Sequence, residues 1–203
     1  MPMQLYKREE ILEACLSVFA RHGYKKTSTV MLAEAAGISR SLIFYHFKSK
    51  KELYLSIVDW CFEKFGAEFG SDILLTYWDF FEAKEKFSVL RLDYMKRNPD
   101  LYKVAFEAFL ATPDEVKADI EKKYGEVRTV RDKQWRELFD RVPLRKGVDR
   151  EMAFELIKNT LDHFEKKALS ELNIENDVDE AYWQSFLDKR NCFLNMIRYG
   201  IEQ

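Results

Sequence analysis

Chain breakers are scarce in this sequence. Its 203 residues hold only 7 glycines and 4 prolines, which argues against a strand-rich fold with many tight turns and favours long helices. Long hydrophobic runs are missing as well. No apolar stretch approaches the ~18–20 residues of a membrane span. The start, MPMQLYKREE, turns charged within a few residues and offers no signal core. A cytoplasmic protein without a membrane partner is the expectation. The three cysteines, Cys15, Cys61 and Cys192, lie far apart and show neither CxxC nor Cys/His zinc spacing. Each sits in a helical apolar pattern and reads as a buried, reduced thiol. None of the three histidines lies near a Ser or Cys nucleophile, and HExxH, P-loop and GxGxxG patterns are absent. The sequence therefore carries no catalytic set, metal site or cofactor motif, and an enzyme is not expected.

What is present is a packed, aromatic-rich composition, 47% hydrophobic and 15% aromatic, with charge unevenly distributed. Residues 1–55 carry nine Lys or Arg against five Asp or Glu, a net +4, whereas the remainder carries 24 against 30, a net −6. A basic head on an acidic body presents one end to phosphate. Within that head, TSTVMLAEAAGISRSLIFYHFKSKKE (27–52) reads as two short helices around a tight turn. The first runs from about Thr29 to Ala36. Gly37 stands where a helix-terminating residue takes positive φ, and Ser39 can cap a second helix to about Phe47. This is a helix-turn-helix, whose second helix fits a DNA major groove. Ser49-Lys50-Lys51-Glu52 is a capping box that opens the next helix.

The ordered combination of Phe19, Gly23, Leu32, Ala33, Gly37, Tyr45-His46-Phe47 and Ser49-Lys50 closely resembles the N-terminal DNA-binding region of TetR/AcrR-type transcriptional regulators, over residues 7 to 55. The resemblance implies an all-α fold with a three-helix DNA-binding head (1–50) on a helical effector-binding and dimerisation body (51–203). In the recognition helix Ile43 and Phe47, four apart, should face the head's core, turning Arg40, Ser41 and Phe44 or Tyr45 toward the groove. Arg40 can pair with guanine O6 and N7 or hold a phosphate, Ser41 can reach a base edge or phosphate, and Ser39 is a further candidate DNA contact. Leu42 replaces a Thr frequent in the family and offers a thymine-methyl contact instead. Phe44 replaces a frequent Tyr, and Val30 a basic residue of several relatives. Tyr45 is expected to supply a phosphate hydrogen bond or an apolar wall in the groove, and His46 matches a position that faces the backbone, with a helix-end packing role as its alternative. Lys50 combines its charge with a helix N-terminus to hold phosphate, and Ser28 and Thr29 do the same at the first motif helix. Lys25, Lys26 and Lys48 read as a solvated basic rim.

Cap signals divide the body into further helices, about nine in the whole chain. Gly66 and Gly70 should close the helix after Ser49. An amphipathic segment follows from about Asp72 to Arg97, and Asn98-Pro99 then opens a helix to about Ala111. Thr112-Pro113-Asp114-Glu115 opens one to about Arg141 with Gly125 as a break, Asp149 one to about Leu172, and Asp177-Val178-Asp179-Glu180 the last. The resemblance implies a homodimer through the last two helices, a double-stranded operator, and a small-molecule effector, apolar or amphipathic, that releases a repressor from a palindrome. Trp60, Trp78, Phe81, Tyr94 and Phe106 are candidate pocket aromatics, with Asn159 and His163 as polar anchors. The rival function is a helical ligand-binding or interaction protein whose head has lost DNA readout.

Overall fold

The computed structural model describes residues 8–69, 77–172 and 180–203. These form nine helices: α1 (Arg8–Lys26), α2 (Thr29–Ala35), α3 (Arg40–His46), α4 (Lys50–Phe69), α5 (Phe80–Arg97), α6 (Pro99–Leu110), α7 (Asp114–Asp140), α8 (Arg150–Leu172) and α9 (Glu180–Ile201). Apart from one antiparallel bridge between Leu144 and Glu202, the described residues make no β pairing. The all-α expectation holds. No described helix is long and apolar enough to cross a membrane.

The chain divides into two compact units, Met1–Ser71 with Tyr94–Arg128, and Asp72–Asp93 with Thr129–Gln203. The first unit packs Ile11, Cys15 and Phe19 of α1, spaced by four, against Leu32, Ile43, Phe47, Leu53, Tyr54 and Ile57, with Val104 and Ala108 of α6 and Val116 and Ile120 of α7. The second gathers Phe80, Trp135, Phe139, Ile157, Leu194 and Ile201.

Several expected boundaries shift. α5 begins at Phe80, where the Asp79 carboxylate accepts from Glu82 N at 2.7 Å. The expected start at Asp72, the stop at Gly70 and the cap at Asp177 lie outside the described residues. Gly66 and Gly125 lie inside α4 and α7 and break neither. A helical glycine costs ~1 kcal/mol, less than the burial gained by continuing. Asn98 precedes α6, but its side chain donates back to Tyr94 O at 3.3 Å instead of capping α6. Thr112 likewise turns back to Ala108 O at 2.7 Å. Cys15 and Cys61 are buried, and burial pushes each thiol up to about 12. Cys192, expected to be buried, is exposed, because it lies off the stripe of α9 that faces the core.

Candidate nucleic-acid interface

The turn between α2 and α3 forms as the residue types dictate. Gly37 takes φ 64°, its N–H donates to Glu34 O, and Ile38 N donates to Ala33 O, both at 3.1 Å. Those two bonds form a Schellman ending that only a residue tolerant of positive φ completes without strain. Ser28 caps α2 by accepting from Met31 N, and Ser39 caps α3 by accepting from Leu42 N, each at 3.2 Å. Capping uses a lone pair of each hydroxyl and leaves its O–H free to donate. Ser49 caps α4 through Glu52 N at 3.1 Å, while the Glu52 carboxylate accepts from Lys48 N at 3.3 Å.

Burial sorts α3 into two faces. Ile43 is 2% exposed and Phe47 fully buried, which fixes the helix on the core. Arg40, Ser41, Phe44 and Tyr45 are exposed, Tyr45 by 82%. Leu42, His46 and Thr29 are half-buried, and Ser28, Ser39 and Val30 are exposed. His46 packs between its neighbours, with ring centroids 5.4 Å from Tyr45 and 6.4 Å from Phe47. A cation, an exposed hydroxyl and two aromatic rings thus share the outward side of a short helix, groups of the kind that bond phosphate and base edges.

Lys50 sits differently from a free phosphate contact. Its ammonium donates to Tyr24 O at 3.0 Å and to Thr27 O at 3.2 Å and lies 4.2 Å from the Tyr24 ring centroid. It ties the end of α1 to the start of α4, which leaves one of its three donors for an outside partner. Arg8 escaped the sequence reading. It donates to Ser56 Oγ at 3.0 Å and its guanidinium lies 4.5 Å from the Phe47 ring, clamping the end of α3 from outside. A further residue unread in the sequence is Glu107 of α6. Its carboxylate accepts from Tyr24 N at 3.0 and 3.1 Å and from the Tyr54 hydroxyl at 3.0 Å. It seals the kink at Gly23, where φ is 70°. Burial, and then the Glu107 charge, raises the Tyr54 phenol well above its ordinary range.

Residues 11–57 match the model of bacterial regulatory proteins of the tetR family, a stretch that holds α2, α3 and their caps but not Arg8 or Glu107. Residues 11–57 are thus similar to the DNA-binding region of that family. Over 50 residues the tetR-type head is 46% identical to the HTH-type transcriptional repressor AcnR of Corynebacterium efficiens, a stretch that is 25% of this chain and 27% of the relative. The chain thus spans about a quarter of the length of the curated relatives it matches. Two solved structures share the fold along nearly the whole chain. The TetR family transcriptional regulator PfmR of Thermus thermophilus superposes with a TM-score of 0.62 at 19% identity, over 97% of this chain and 100% of the other. The ketosteroid transcriptional regulator KstR2 of Mycobacterium tuberculosis does so at 0.61 and 18%, over 99% and 97%.

The candidate effector residues are divided between the two units. Trp60, Tyr94 and Phe106 belong to the first unit, and Trp78, Phe81, Asn159 and His163 to the second. Tyr94 is buried beside Phe65 and Phe69, with its hydroxyl unpaired among the described residues. Phe81 is core, whereas Trp78 is 83% exposed. Asn159 and His163 are exposed on α8 and anchor no interior there. They continue the exposed row begun by Met152 and Leu156, at positions 152, 156, 159 and 163 of one helix face.

Proposed function

We propose that this chain is a homodimeric transcriptional regulator, a repressor that leaves a palindromic operator when a small molecule binds the part beyond the head. In this reading residues 1–50 contact DNA and residues 51–203 hold the effector and the partner subunit, in the cytoplasm. The observation that carries it is the outward face of α3, with Arg40, Ser41, Phe44 and Tyr45 exposed while Ile43 and Phe47 are buried. Arg40 is assigned to a base edge or phosphate, Ser28, Ser39 and Ser41 to phosphate through their free O–H groups, and Tyr45 and Phe44 to the groove wall. Leu42, His46, Thr29 and Lys50 shape and support that surface.

Dimerisation is supported by large apolar groups exposed on the last two helices, Met152 and Leu156 on α8 and Phe193, Met196 and Tyr199 on α9. Rows of this kind at helical spacing suit an isologous helix–helix contact. Two-fold symmetry supplies two reading heads, ~34 Å apart for successive major grooves. An effector acts only by preferring one conformation, and DNA then opposes it by the same coupling, typically ~1–3 kcal/mol.

Selection from a randomised duplex pool with purified protein tests the reading. Enrichment of a palindrome supports it. Uniform retention by folded dimer instead identifies a helical binding protein whose head does not read sequence.

A further inference from the structure

The second unit holds a buried cation where a core should hold none, with a second cation beside it. In α9 the buried residues Trp183, Leu187, Leu194 and Ile201 form the core-facing stripe, and Arg190 occupies a position within it, only 3% exposed. One of its nitrogens, Nη2, donates to Lys84 O at 3.1 Å, while Nε and Nη1 are buried without a hydrogen-bond partner among the described residues. Buried guanidinium groups ordinarily have every donor met, because desolvating the charge costs several kcal/mol that only close partners return. Lys84 of α5 is partly buried one turn beyond Phe80. Its ammonium lies 3.5 Å from the Trp135 ring centroid of α7 and 5.5 Å from that of Phe80, with no carboxylate paired to it among the described residues.

The acidic groups nearby do not discharge the pair. Glu165 is engaged by Arg91, and Glu85 accepts from Asn191 Nδ2 at 3.3 Å. Asp132 acts on Lys84 through its charge alone, and more weakly than Arg91, Arg190 and Arg131, which oppose it. Burial first, and then those three arginines, push the Lys84 ammonium down to about 7. Burial and Arg91 push Arg190 down to about 10, with Glu85 opposing. Water or a carbonyl would meet the open N–H groups without cancelling charge. An oxyanion does both, through charge-assisted hydrogen bonds to Arg190, and the rings beside it suit an apolar body.

We propose that Arg190 and Lys84 form a binding site for the oxyanion head, carboxylate or phosphate, of a small organic acid whose apolar part lies against Phe80 and Trp135. The site deepens the effector reading above and rests on it only for the consequence at DNA.

Calorimetric titration of the full-length protein tests the site without DNA, using millimolar benzoate and phenyl phosphate at constant ionic strength, with benzylammonium as the cationic control. Saturable binding of at least one anion, one per chain, is expected, with no binding of benzylammonium. The tighter of the two anions identifies the head group. Arg190→Met and Lys84→Met should each weaken binding at least ~10-fold, the loss of one charge-assisted partner. The lysine variant, being partly exposed, keeps the test decisive if the arginine variant does not fold. Absence of saturable binding by both anions overturns the proposal, as does binding undiminished in the folded variants. If the anion binds but leaves affinity for a selected operator unchanged, the site stands and its role as effector site falls.

Discussion

Replacing Glu107 with Gln tests whether the carboxylate of α6 holds the head's first kink together. The carboxylate receives two donors, the Tyr24 N–H and the Tyr54 hydroxyl, at 3.0–3.1 Å. Gln keeps the shape but loses the charge and one accepting oxygen, so the Tyr24 N–H, which spans both oxygens, loses one of its two acceptors and the Tyr54 hydroxyl has only a neutral partner. The loss is that of one charge-assisted bond plus weakening of the other, ~1.5–3 kcal/mol. That is a sizeable part of the ~5–15 kcal/mol by which a domain is stable. Urea unfolding with linear extrapolation measures it, with an unchanged slope showing that the exposed surface is the same. Tyr54→Phe removes only the phenol donor and should cost less, about 1 kcal/mol. The double variant should fall short of the sum by at least ~0.5 kcal/mol, since both changes act on one carboxylate. A Glu107→Gln protein within ~0.5 kcal/mol of the parent would refute the reasoning.

Three further outcomes follow from the same geometry. Lys50→Met should lower stability by ~1.5–3 kcal/mol along with DNA affinity, because the ammonium donates to Tyr24 O and Thr27 O; loss of DNA affinity alone would make Lys50 a free phosphate contact. Lys84, held near 7 in the fold against an ordinary 10.5, binds its proton more weakly there than in the unfolded chain. Stability should therefore rise with pH between about 7 and 10.5, by at most ~1.4 kcal/mol per unit, the penalty being complete below that window. The difference in unfolding free energy between the parent and Lys84→Met, followed from about pH 6 to about pH 9, isolates this group, and a flat difference contradicts it. Among the cysteines, Cys192 should react with a maleimide in the native protein, while Cys15 and Cys61, buried and pushed up to about 12, should react only on unfolding; mass spectrometry of labelled peptides distinguishes them.

The head is legible because its signals are local. Gly37, Ser39, Ser49 and Glu52 act within four residues of themselves, and the spacing of Ile43 and Phe47 orients α3 without reference to the rest of the chain. Lys50 reads as a free contact in the sequence because its partners, Tyr24 O and Thr27 O, lie more than twenty residues away and are backbone atoms without sequence identity. Glu107 is invisible for the same reason, being 83 residues from Tyr24. Helical periodicity locates an apolar face but not its neighbours, so Asn159 and His163 read as interior anchors although the helix exposes that row. Arg190 leaves a readable trace, a cation inside the core stripe of α9, and only the fold reveals that its donors are unmet.

The central claim is that the outer face of α3 reads DNA. It is tested most directly by the affinity of the parent and of Arg40→Ala for a selected duplex, with each base pair of one half-site varied in turn. Binding by the variant should be ~5- to 150-fold weaker, the ~1–3 kcal/mol of one base contact, with preference relaxed at one position of each half-site. Unchanged affinity and unchanged base preference in a folded Arg40→Ala protein would contradict it.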